Sequence, residues 1–252
     1  MPSVRSANIN DSFFDGYYKD IWRAIIPEAL TKAEVDYLVD AAGLEAGNNV
    51  LDLMCGYGRH ALALARKGIN VTAIDNLAHY INEIKQIAEK ESLPLSAQLF
   101  DVMQFQPEDQ YDLIMCMGNS VCFFNKEDSE KLYSRISSVL KQGGKFIFNS
   151  WMIAEIAITQ FKEKAWTYVG EIKFLSDSKY LFHPSRIEAE SIFIAPDGTT
   201  ERKMGVDYIY SLDETEAMLN KSGLVINETW SIPGKKKFGL GEPRIYIVAE
   251  KN

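Results

Sequence analysis

Two aspartates and two glycines have types and spacings that suit the binding of a nucleotide-like ligand. In the stretch VLDLMCGYGRHALALARKGINVTAID, residues 50–75, Gly56 and Gly58 lie between an apolar run and a helix-like run. Glycines let backbone N–H groups approach a ligand closely, and a helix N-terminus favours a phosphate or a carboxylate. Asp75 ends the next apolar run, 23 residues after Asp52. A carboxylate at that place can accept hydrogen bonds from both hydroxyls of a ribose.

Strands and helices must alternate around these residues if the residues are to meet at one edge of a sheet. The apolar runs predict five strands, NVLDLM, NVTAID, SAQLFD, YDLIMCMG and KFIFNS, and stretches with a 3.6-residue period separate them. A helix is predicted to begin at Thr31, where Glu34 completes the spacing of a capping box. This alternation predicts a parallel sheet with right-handed crossovers.

The hydrophobic period changes to two at about residue 165. The runs WTYVGEIKFL, SRIEAESIFI and RKMGVDYIY predict strands of an antiparallel insertion, and APDG at 195–198 predicts a turn between two of them. A helix then follows, with the capping-box spacing of Ser211 and Glu214. The runs VINETWSI and RIYIVAEK predict two closing strands at the sheet edge.

These motifs, taken in order, resemble those of the class I S-adenosylmethionine-dependent methyltransferases over nearly the whole chain. VLDLMCGYG is similar to the first motif, with Met54 in its first glycine slot; VTAID carries the acid of the second motif; LFDVMQF and YDLIMCMGNSVCFF are similar to the third and fourth. The resemblance implies a doubly wound α/β fold. Its sheet would be seven-stranded and mostly parallel with an antiparallel last strand, and a small antiparallel β insertion would be added.

The resemblance also implies a domain organisation. Residues 1–30 would form an N-terminal helical lid segment, and residues 31–164 and 211–252 the domain that binds S-adenosylmethionine. Residues 165–210 would form the antiparallel insertion, either a substrate cover or a surface for a homodimer.

The resemblance assigns roles to individual residues around the cofactor. Asp75 would hold the ribose, Asp101 would accept from the adenine amino group, and Asp52 would order the glycine turn or meet the cofactor's amino group. Helix capping and turn formation are the structural alternatives for Asp75 and Asp101. The complete set of predicted cofactor residues is Tyr18, Asp52, Met54, Cys55, Gly56, Gly58, Arg59, Asp75, Asn76, Leu77, Asp101, Val102, Met103, Met117 and Gly118.

The predicted substrate side follows the fourth strand. The run MGNSVCFF resembles that of glycine/sarcosine-type and aminosugar N-methyltransferases, and the N/D-P-P-Y/F motif of base-methylating enzymes is missing. FFDGYYKDIW resembles an N-terminal segment whose aromatic residue closes over the cofactor, which makes Tyr18 and Trp22 the candidates. Ordinary helix packing is an equal alternative for Tyr18 and the favoured one for Trp22. His60 is more typical of a packed helix start than of a base. The predicted substrate residues are Trp22, Asn119, Ser120, Phe123, His183 and Arg186, and no catalytic residue is assigned.

Composition limits the partners and the compartment. The net charge of −8 argues against a nucleic-acid backbone as the main partner. An odd number of cysteines, three, predicts a reduced cytoplasmic protein, and their spacing does not suit a metal site. The first ten residues do not resemble a signal peptide, and no apolar run approaches the roughly 20 residues of a membrane helix.

We therefore predict an S-adenosylmethionine-dependent methyltransferase that acts on a small molecule, at nitrogen in preference to oxygen, by in-line displacement. Two alternatives stay open. Gly56-x-Gly58-x-x-Ala61 also matches the fingerprint of NAD-dependent oxidoreductases. A non-catalytic protein that binds S-adenosylmethionine would carry the same loop, because binding and turnover use the same residues.

Overall fold

A mostly parallel sheet forms the centre of the molecule. The computed structural model describes residues 8–107 and 109–252. Within them the sheet has seven long strands and one two-residue edge strand, which are β1 Asn49–Leu53, β2 Asn70–Asp75, β3 Leu95–Leu99, β4 Tyr111–Cys116, β5 Leu140–Ser150, β10 Leu224–Ile232, β11 Lys236–Lys237 and β12 Ile245–Lys251. Their order in the sheet is β11-β10-β12-β5-β4-β1-β2-β3. The last strand, β12, runs antiparallel to both of its neighbours, β5 and β10.

Seven helices accompany the strands in the described part of the chain. They are α1 Tyr17–Ile25, α2 Glu28–Ala42, α3 Arg59–Ala65, α4 Ala78–Glu91, α5 Lys126–Val139, α6 Ala154–Gln160 and α7 Leu212–Asn220. Ser211 caps α7 with a complete capping box to Glu214, as the sequence predicts. The helix predicted to begin at Thr31 is α2, and the predicted start is wrong because α2 begins at Glu28 after Pro27. None of the helices in the described ranges combines the length and the apolar character that crossing a membrane requires.

Both faces of the main sheet are covered. Leu51 and Leu53 of β1 pack into the hydrophobic core on one face, whereas Val50 packs into the core on the other face. Because side chains alternate across a strand, a strand buried on both faces needs an almost continuously apolar sequence. The predicted fold, with its parallel sheet and antiparallel last strand, is therefore confirmed.

A second, antiparallel sheet of four strands follows α6. Its strands are β6 Lys164–Val169, β7 Ile172–Phe182, β8 Ser185–Ile194 and β9 Thr200–Tyr208, and they are hydrogen-bonded in chain order. The prediction of one strand over WTYVGEIKFL is wrong. Gly170, with a φ of 58°, turns the chain between β6 and β7. A positive φ suits glycine, and a glycine inside a period-two pattern is the signal that marks this turn.

The N-terminal segment connects the two sheets. A short 3-10 helix, Ile9–Ser12, precedes α1, and residues 1–7 of the predicted lid segment lie outside the described part of the chain. The Asn10 side chain donates to the Val206 carbonyl at 2.8 Å and accepts from the Val206 N–H at 2.9 Å. On the other side, the Tyr80 hydroxyl of α4 donates to the Phe14 carbonyl at 3.2 Å. The segment is thereby hydrogen-bonded to β9 of the second sheet and to helix α4, which packs against the main sheet.

Candidate functional site

A pocket lies at the carboxyl ends of β1, β2 and β4, where loops of neighbouring parallel strands meet. It encloses about 980 Å³ of space, part of it open to solvent. Most of the predicted cofactor residues face it. Those that do are Asp52, Met54, Cys55, Gly56, Arg59, Asp75, Asn76, Leu77, Asp101, Val102, Met117 and Gly118, and the predicted substrate residues that do are Trp22, Ser120 and Phe123.

The glycine turn forms the floor of this pocket. Gly58 ends the turn with a φ of 74° as the N-cap residue of α3. A Cβ at this position would lie 2.6 Å from the Cγ1 atom of Ile84, so a larger residue would clash with α4. Gly58 itself does not face the pocket, and its role is to let α3 approach α4. Met54 also has a positive φ, 55°, so the chain adopts the left-handed turn there without a glycine.

Asp75 ties the glycine turn to the start of α4. One carboxylate oxygen accepts the Gly56 N–H at 2.9 Å, and the other accepts the Leu77 N–H at 3.0 Å. The side chain is buried, and burial raises its pKa against the effect of these hydrogen bonds. Each carboxylate oxygen can accept more than one hydrogen bond. Both oxygens can therefore receive a ligand hydroxyl while they keep the turn in place.

Asp52 is a buried carboxyl group in the pocket wall. It is 2% exposed, and the backbone of Ala61 in the first turn of α3 is hydrogen-bonded to its carboxylate. Its Oδ2 atom has no hydrogen-bond partner in the described residues. Burial raises the pKa of Asp52 to about 8, the charge of Arg59 opposes this shift, and the charge of Asp75 adds to it. A buried carboxylate in this state is suited to a ligand that brings a positive charge.

A buried network beneath the turn fixes Arg59 and His60. Glu34 of α2 accepts from Arg59 at 2.6 Å and lies 2.9 Å from His60 Nε2. It also accepts from the Tyr246 hydroxyl at 2.7 Å. Burial opposes ionisation of Glu34, but the hydrogen bond to His60 and the charges of His60 and Arg59 lower its pKa to about 2.

This network replaces the predicted capping box of α2. Glu34 points inward instead of capping its own helix, and Thr31 accepts a hydrogen bond from Arg59 at 3.0 Å. Burial is the main cause that lowers the pKa of His60. His60 faces the pocket, but it serves as a packed partner of Glu34, as a histidine at a helix start usually does.

The loop after β3 forms the opposite wall. Asp101 accepts the Met103 N–H at 2.8 Å, so its carboxylate holds a turn. Val102 and Phe100 present apolar surface to the pocket beside Leu77. Met103 was predicted at the pocket wall, but its side chain packs into the hydrophobic core and does not face the pocket.

The loop after β4 is held from behind by polar side chains. Asn149 of β5 accepts the Gly118 N–H at 2.7 Å. Asn119 was predicted at the substrate, yet its buried side chain lies behind the pocket wall, where it accepts from the Ser150 hydroxyl at 2.8 Å and the Trp151 N–H at 2.9 Å. Asn119 therefore shapes the loop that presents Ser120.

Residues of the N-terminal segment line part of the pocket. Asn8 donates to the Phe123 carbonyl at 2.9 Å, and Phe14 faces the pocket. Trp22 also faces it and lies near Gly118, where a Cβ would be 3.7 Å from the Trp22 ring. Tyr18, predicted at the cofactor, does not face the pocket and stacks behind Trp22 with ring centroids 6.2 Å apart.

Two predicted substrate residues lie elsewhere. His183 and Arg186 lie at the tip of the β7–β8 hairpin and do not face the pocket. Arg186 donates to Glu188 at 2.8 Å and to the carbonyls of His183 and Pro184. The interaction of Arg186 with its own hairpin explains its position without a ligand.

The sequence analysis missed several pocket residues, both in the N-terminal segment and in other parts of the lining. The pocket residues that it did not assign are Asn8, Asn10, Asp11, Phe14, Tyr57, His60, Ile74, Tyr80, Phe100 and Phe124. The aromatic density after residue 11 is the signal for Phe14. The asparagines before it have no periodic pattern and could be found only from their partners in β9 and in the loop after β4.

Residues 50–144 match the family model described as "Methyltransferase domain". Among curated proteins, a 136-residue stretch is 29% identical to "S-adenosyl-L-methionine-dependent Diels-Alderase iliD" of Neonectria sp. (strain DH2), covering 54% of this chain and 51% of that protein. A 158-residue stretch is 28% identical to "Ubiquinone biosynthesis O-methyltransferase" of Coxiella burnetii, covering 62% of this chain and 61% of that protein. The chain thus spans about half to three fifths of the length of these two relatives.

Solved structures share the whole fold. The CcbJ methyltransferase from Streptomyces caelestis has a TM-score of 0.81 at 16% identity, covering 98% of this chain and 99% of that one. The sugar N-methyltransferase KedS8 from Streptoalloteichus sp. has a TM-score of 0.71 at 16% identity, covering 100% of this chain and 99% of that one. Similarity at this identity shows the fold, including the added sheet. The expected resemblance to methyltransferases is confirmed over residues 50–144 by the family model, and the expected fold is confirmed by the solved structures.

Proposed function

We propose that this class I methyltransferase-fold protein transfers a methyl group from S-adenosylmethionine to a small-molecule acceptor, and that the acceptor atom is nitrogen in preference to oxygen. The observation that carries the cofactor assignment is the unpartnered Oδ2 atom of Asp52 beside the glycine turn. The amino acid end of S-adenosylmethionine brings an ammonium group, which such a carboxylate requires. A pyrophosphate, as in NAD, would bring like charge to the same place.

The residues of the pocket fit this cofactor. Asp52 would bind the ammonium group, and Asp75 would accept the two ribose hydroxyls while it retains its bonds to the turn. Asp101 and the apolar surfaces of Val102 and Leu77 would hold the adenine. When bound, S-adenosylmethionine supplies a methyl group on a positively charged sulfur.

The protein's own contribution to the chemistry is orientation and the exclusion of water. Phe14, Trp22 and Phe123 line the pocket beside the loop after β4, and we propose that they shield the reacting groups from water. Holding two reactants in line can supply most of the acceleration that displacement at an activated methyl group needs. A base is needed only where the acceptor arrives protonated. In-line displacement to a positioned acceptor is therefore the proposed mechanism.

Two features support a nitrogen acceptor. The mouth of the pocket is aromatic, and aromatic faces attract cations such as protonated amines. The complete chain, with its second sheet, also shares the fold of the sugar N-methyltransferase KedS8.

Several sequence-based expectations enter this proposal unchanged. We propose a lid segment before residue 31, a cofactor domain in two parts, and an insertion over residues 165–210 that covers the substrate or forms a homodimer surface. We also propose a cytoplasmic location, with neither a nucleic acid nor a membrane as partner.

A second candidate function has a specific observation in its favour. The similarity to a protein described as a Diels-Alderase that depends on S-adenosylmethionine makes use of the cofactor without methyl transfer a distinct hypothesis. The two functions differ in whether S-adenosylhomocysteine accumulates.

Calorimetric titration tests the cofactor assignment. The purified protein is titrated with S-adenosylmethionine, S-adenosylhomocysteine and NAD, beside Asp75→Ala and, as a control, Asp197→Asn in the exposed β8–β9 turn. We expect micromolar binding of both adenosyl ligands, lost in Asp75→Ala and retained in Asp197→Asn. Binding of NAD alone would refute the proposal.

An acceptor screen then separates the two candidate functions. Small amines, small alcohols and compounds that carry both a conjugated diene and an alkene are incubated with the protein and S-adenosylmethionine, and mass spectrometry follows S-adenosylhomocysteine, methylated product and cyclised product. Methylated product supports the methyltransferase. Conversion of an acceptor without S-adenosylhomocysteine would favour the second candidate.

A further inference from the structure

Arg59 is the one permanently positive side chain that lines the pocket among the residues that the structure describes. It opens α3, and its side chain is 10% exposed. The carboxylate of Asp52 accepts a hydrogen bond from the backbone of Ala61 in the same turn of the helix. A carboxylate and a guanidinium therefore flank the first turn of α3 in the pocket wall. Such a pair suits a ligand group that carries both charges itself.

The protein uses only one nitrogen of the Arg59 guanidinium. Nη1 donates to Glu34 Oε2 at 2.6 Å and to the Thr31 hydroxyl at 3.0 Å. Within residues 8–107 and 109–252, the Nε and Nη2 atoms donate to no acceptor. These two atoms form one edge of the planar group, and their parallel N–H groups match the two oxygens of a carboxylate. The edge left for a ligand is therefore the one that binds a carboxylate with two hydrogen bonds.

Glu34 determines which edge of Arg59 is left. It lies in α2, is 1% exposed and does not face the pocket. Its Oε2 atom also lies 2.9 Å from His60 Nε2, and its Oε1 atom accepts from the Tyr246 hydroxyl of β12 at 2.7 Å. The carboxylate is thereby held between α2, α3 and β12. Because Glu34 is fixed in this way, it keeps Nη1 of Arg59 turned away from a ligand.

The charge of Glu34 matters as well as its position. Burial opposes its ionisation, but the hydrogen bond to His60 and the charges of His60 and Arg59 lower its pKa to about 2, so it is ionised at neutral pH. A neutral amide at position 34 would attract Nη1 less strongly. Arg59 could then rotate, and the edge formed by Nε and Nη2 would lose its fixed direction.

We propose that Glu34 is a positioning residue, which orients Arg59 so that its Nε and Nη2 edge binds the carboxylate of the cofactor's amino acid end. This inference rests on the proposed function, in which Asp52 binds the ammonium group of the same end. The ammonium and the carboxylate of an amino acid share one carbon atom, so both can reach the first turn of α3 together. A cofactor without the carboxylate would leave that edge of Arg59 unpaired in the pocket wall.

Matched ligands test this positioning without turnover. Calorimetry at pH 7.5 measures the binding of S-adenosylhomocysteine and of its decarboxylated analogue, which keeps the amino group. The variant is Glu34→Gln, and the control is Asp36→Asn on the exposed side of α2, where Asp36 accepts from lysines. We expect wild type and the control to bind S-adenosylhomocysteine about tenfold or more tightly than the analogue. Glu34→Gln should lose most of this preference and should bind the analogue as wild type does.

The ratio of the two affinities separates positioning from a purely structural role, because a loosened fold weakens the binding of both ligands alike. A preference that survives in Glu34→Gln, even with both affinities lowered, would overturn the inference. If Glu34→Gln does not fold, Arg59→Lys takes its place, since lysine keeps the charge opposite Glu34 and lacks the paired N–H edge. An unchanged preference in Arg59→Lys would also overturn the inference.

Wild type alone separates this inference from the proposed function. If it binds the two ligands equally, Arg59 does not recognise the carboxylate, and the cofactor assignment still stands. If wild type binds neither of them, the proposed function is refuted instead.

Discussion

Replacement of Asp52 by asparagine should make the ligand-free protein more stable and should impair its cofactor binding. Asp52 is 2% exposed, its Oδ2 atom has no partner in the described residues, and burial raises its pKa from 3.8 to about 8. A group whose pKa is higher in the folded state stabilises folding at low pH, and that advantage is lost as the pH rises toward the folded-state pKa. The unfolded chain ionises Asp52 freely, whereas the folded chain has to keep it protonated or bury its charge.

The size of this effect follows from the two pKa values. Each pKa unit corresponds to about 1.4 kcal/mol. At pH 7.5 the folded state is therefore destabilised by about 5 kcal/mol, and at pH 5 by about 1.5 kcal/mol. Asparagine at position 52 does not titrate, so any constant cost of the amide cancels between the two pH values. The stability difference between Asp52→Asn and wild type should widen by about 3 kcal/mol from pH 5 to pH 7.5.

Urea unfolding at the two pH values measures this difference directly. Calorimetry with S-adenosylhomocysteine at pH 7.5 measures the effect of Asp52→Asn on cofactor binding. Loss of a charge-assisted hydrogen bond of about 1.5–3 kcal/mol predicts roughly 10- to 150-fold weaker binding by the variant. The reasoning is refuted if the stability difference does not change with pH, because Asp52 would then not be titrating in a buried site. Unchanged affinity would show that Asp52 does not contact the cofactor.

Three further substitutions test the framework of the site by urea unfolding. Gly58→Ala should lower the free energy of unfolding by about 2–4 kcal/mol, because alanine is strained at a positive φ and its Cβ would clash with Ile84. A decrease of less than about 0.5 kcal/mol would contradict this geometry. Glu34→Gln should lower the free energy of unfolding by about 3–5 kcal/mol at pH 7, because Arg59 loses its buried carboxylate partner. Since the Glu34 pKa is lowered to about 2, this difference should disappear as the pH falls from about 4.5 toward 2, and a constant difference would argue against the ion pair. Asn119→Ala leaves the Ser150 hydroxyl and the Trp151 N–H without their acceptor and should lower the free energy of unfolding by about 1–3 kcal/mol. The exposed substitution Asn227→Ala is the control.

The sequence predicts the central fold well because local and global patterns agree there. Buried parallel strands are almost continuously apolar, and the helices between them keep a 3.6-residue period. The glycine turn and Asp75 could be placed because their roles depend on the backbone of one strand–turn–helix unit. The turn at Gly170 was missed because the strands on both sides share a period of two, which hides a tight reversal.

The missed parts of the site depend on contacts between distant segments. Glu34 has the spacing of a capping residue, yet its carboxylate binds Arg59 and Tyr246, which lie 25 and 212 residues away along the chain. Asn10 similarly pairs with Val206, 196 residues later. Local spacing is informative only when the partner is local. Pairings across such distances require the tertiary structure.

The charge distribution of the pocket restricts its ligand more than the glycine turn does. Asp52 lies under the turn, and burial raises the pKa of its carboxyl group to about 8. An ionised Asp52 destabilises the ligand-free protein at neutral pH, and a positive charge on a ligand would relieve that cost. A dinucleotide would bring negative charge to the Asp52 end, although the fingerprint Gly56-x-Gly58-x-x-Ala61 permits it. A cationic cofactor would instead compensate the Asp52 carboxylate, which is why the charge at this position, and not the spacing of the glycines, favours S-adenosylmethionine over NAD.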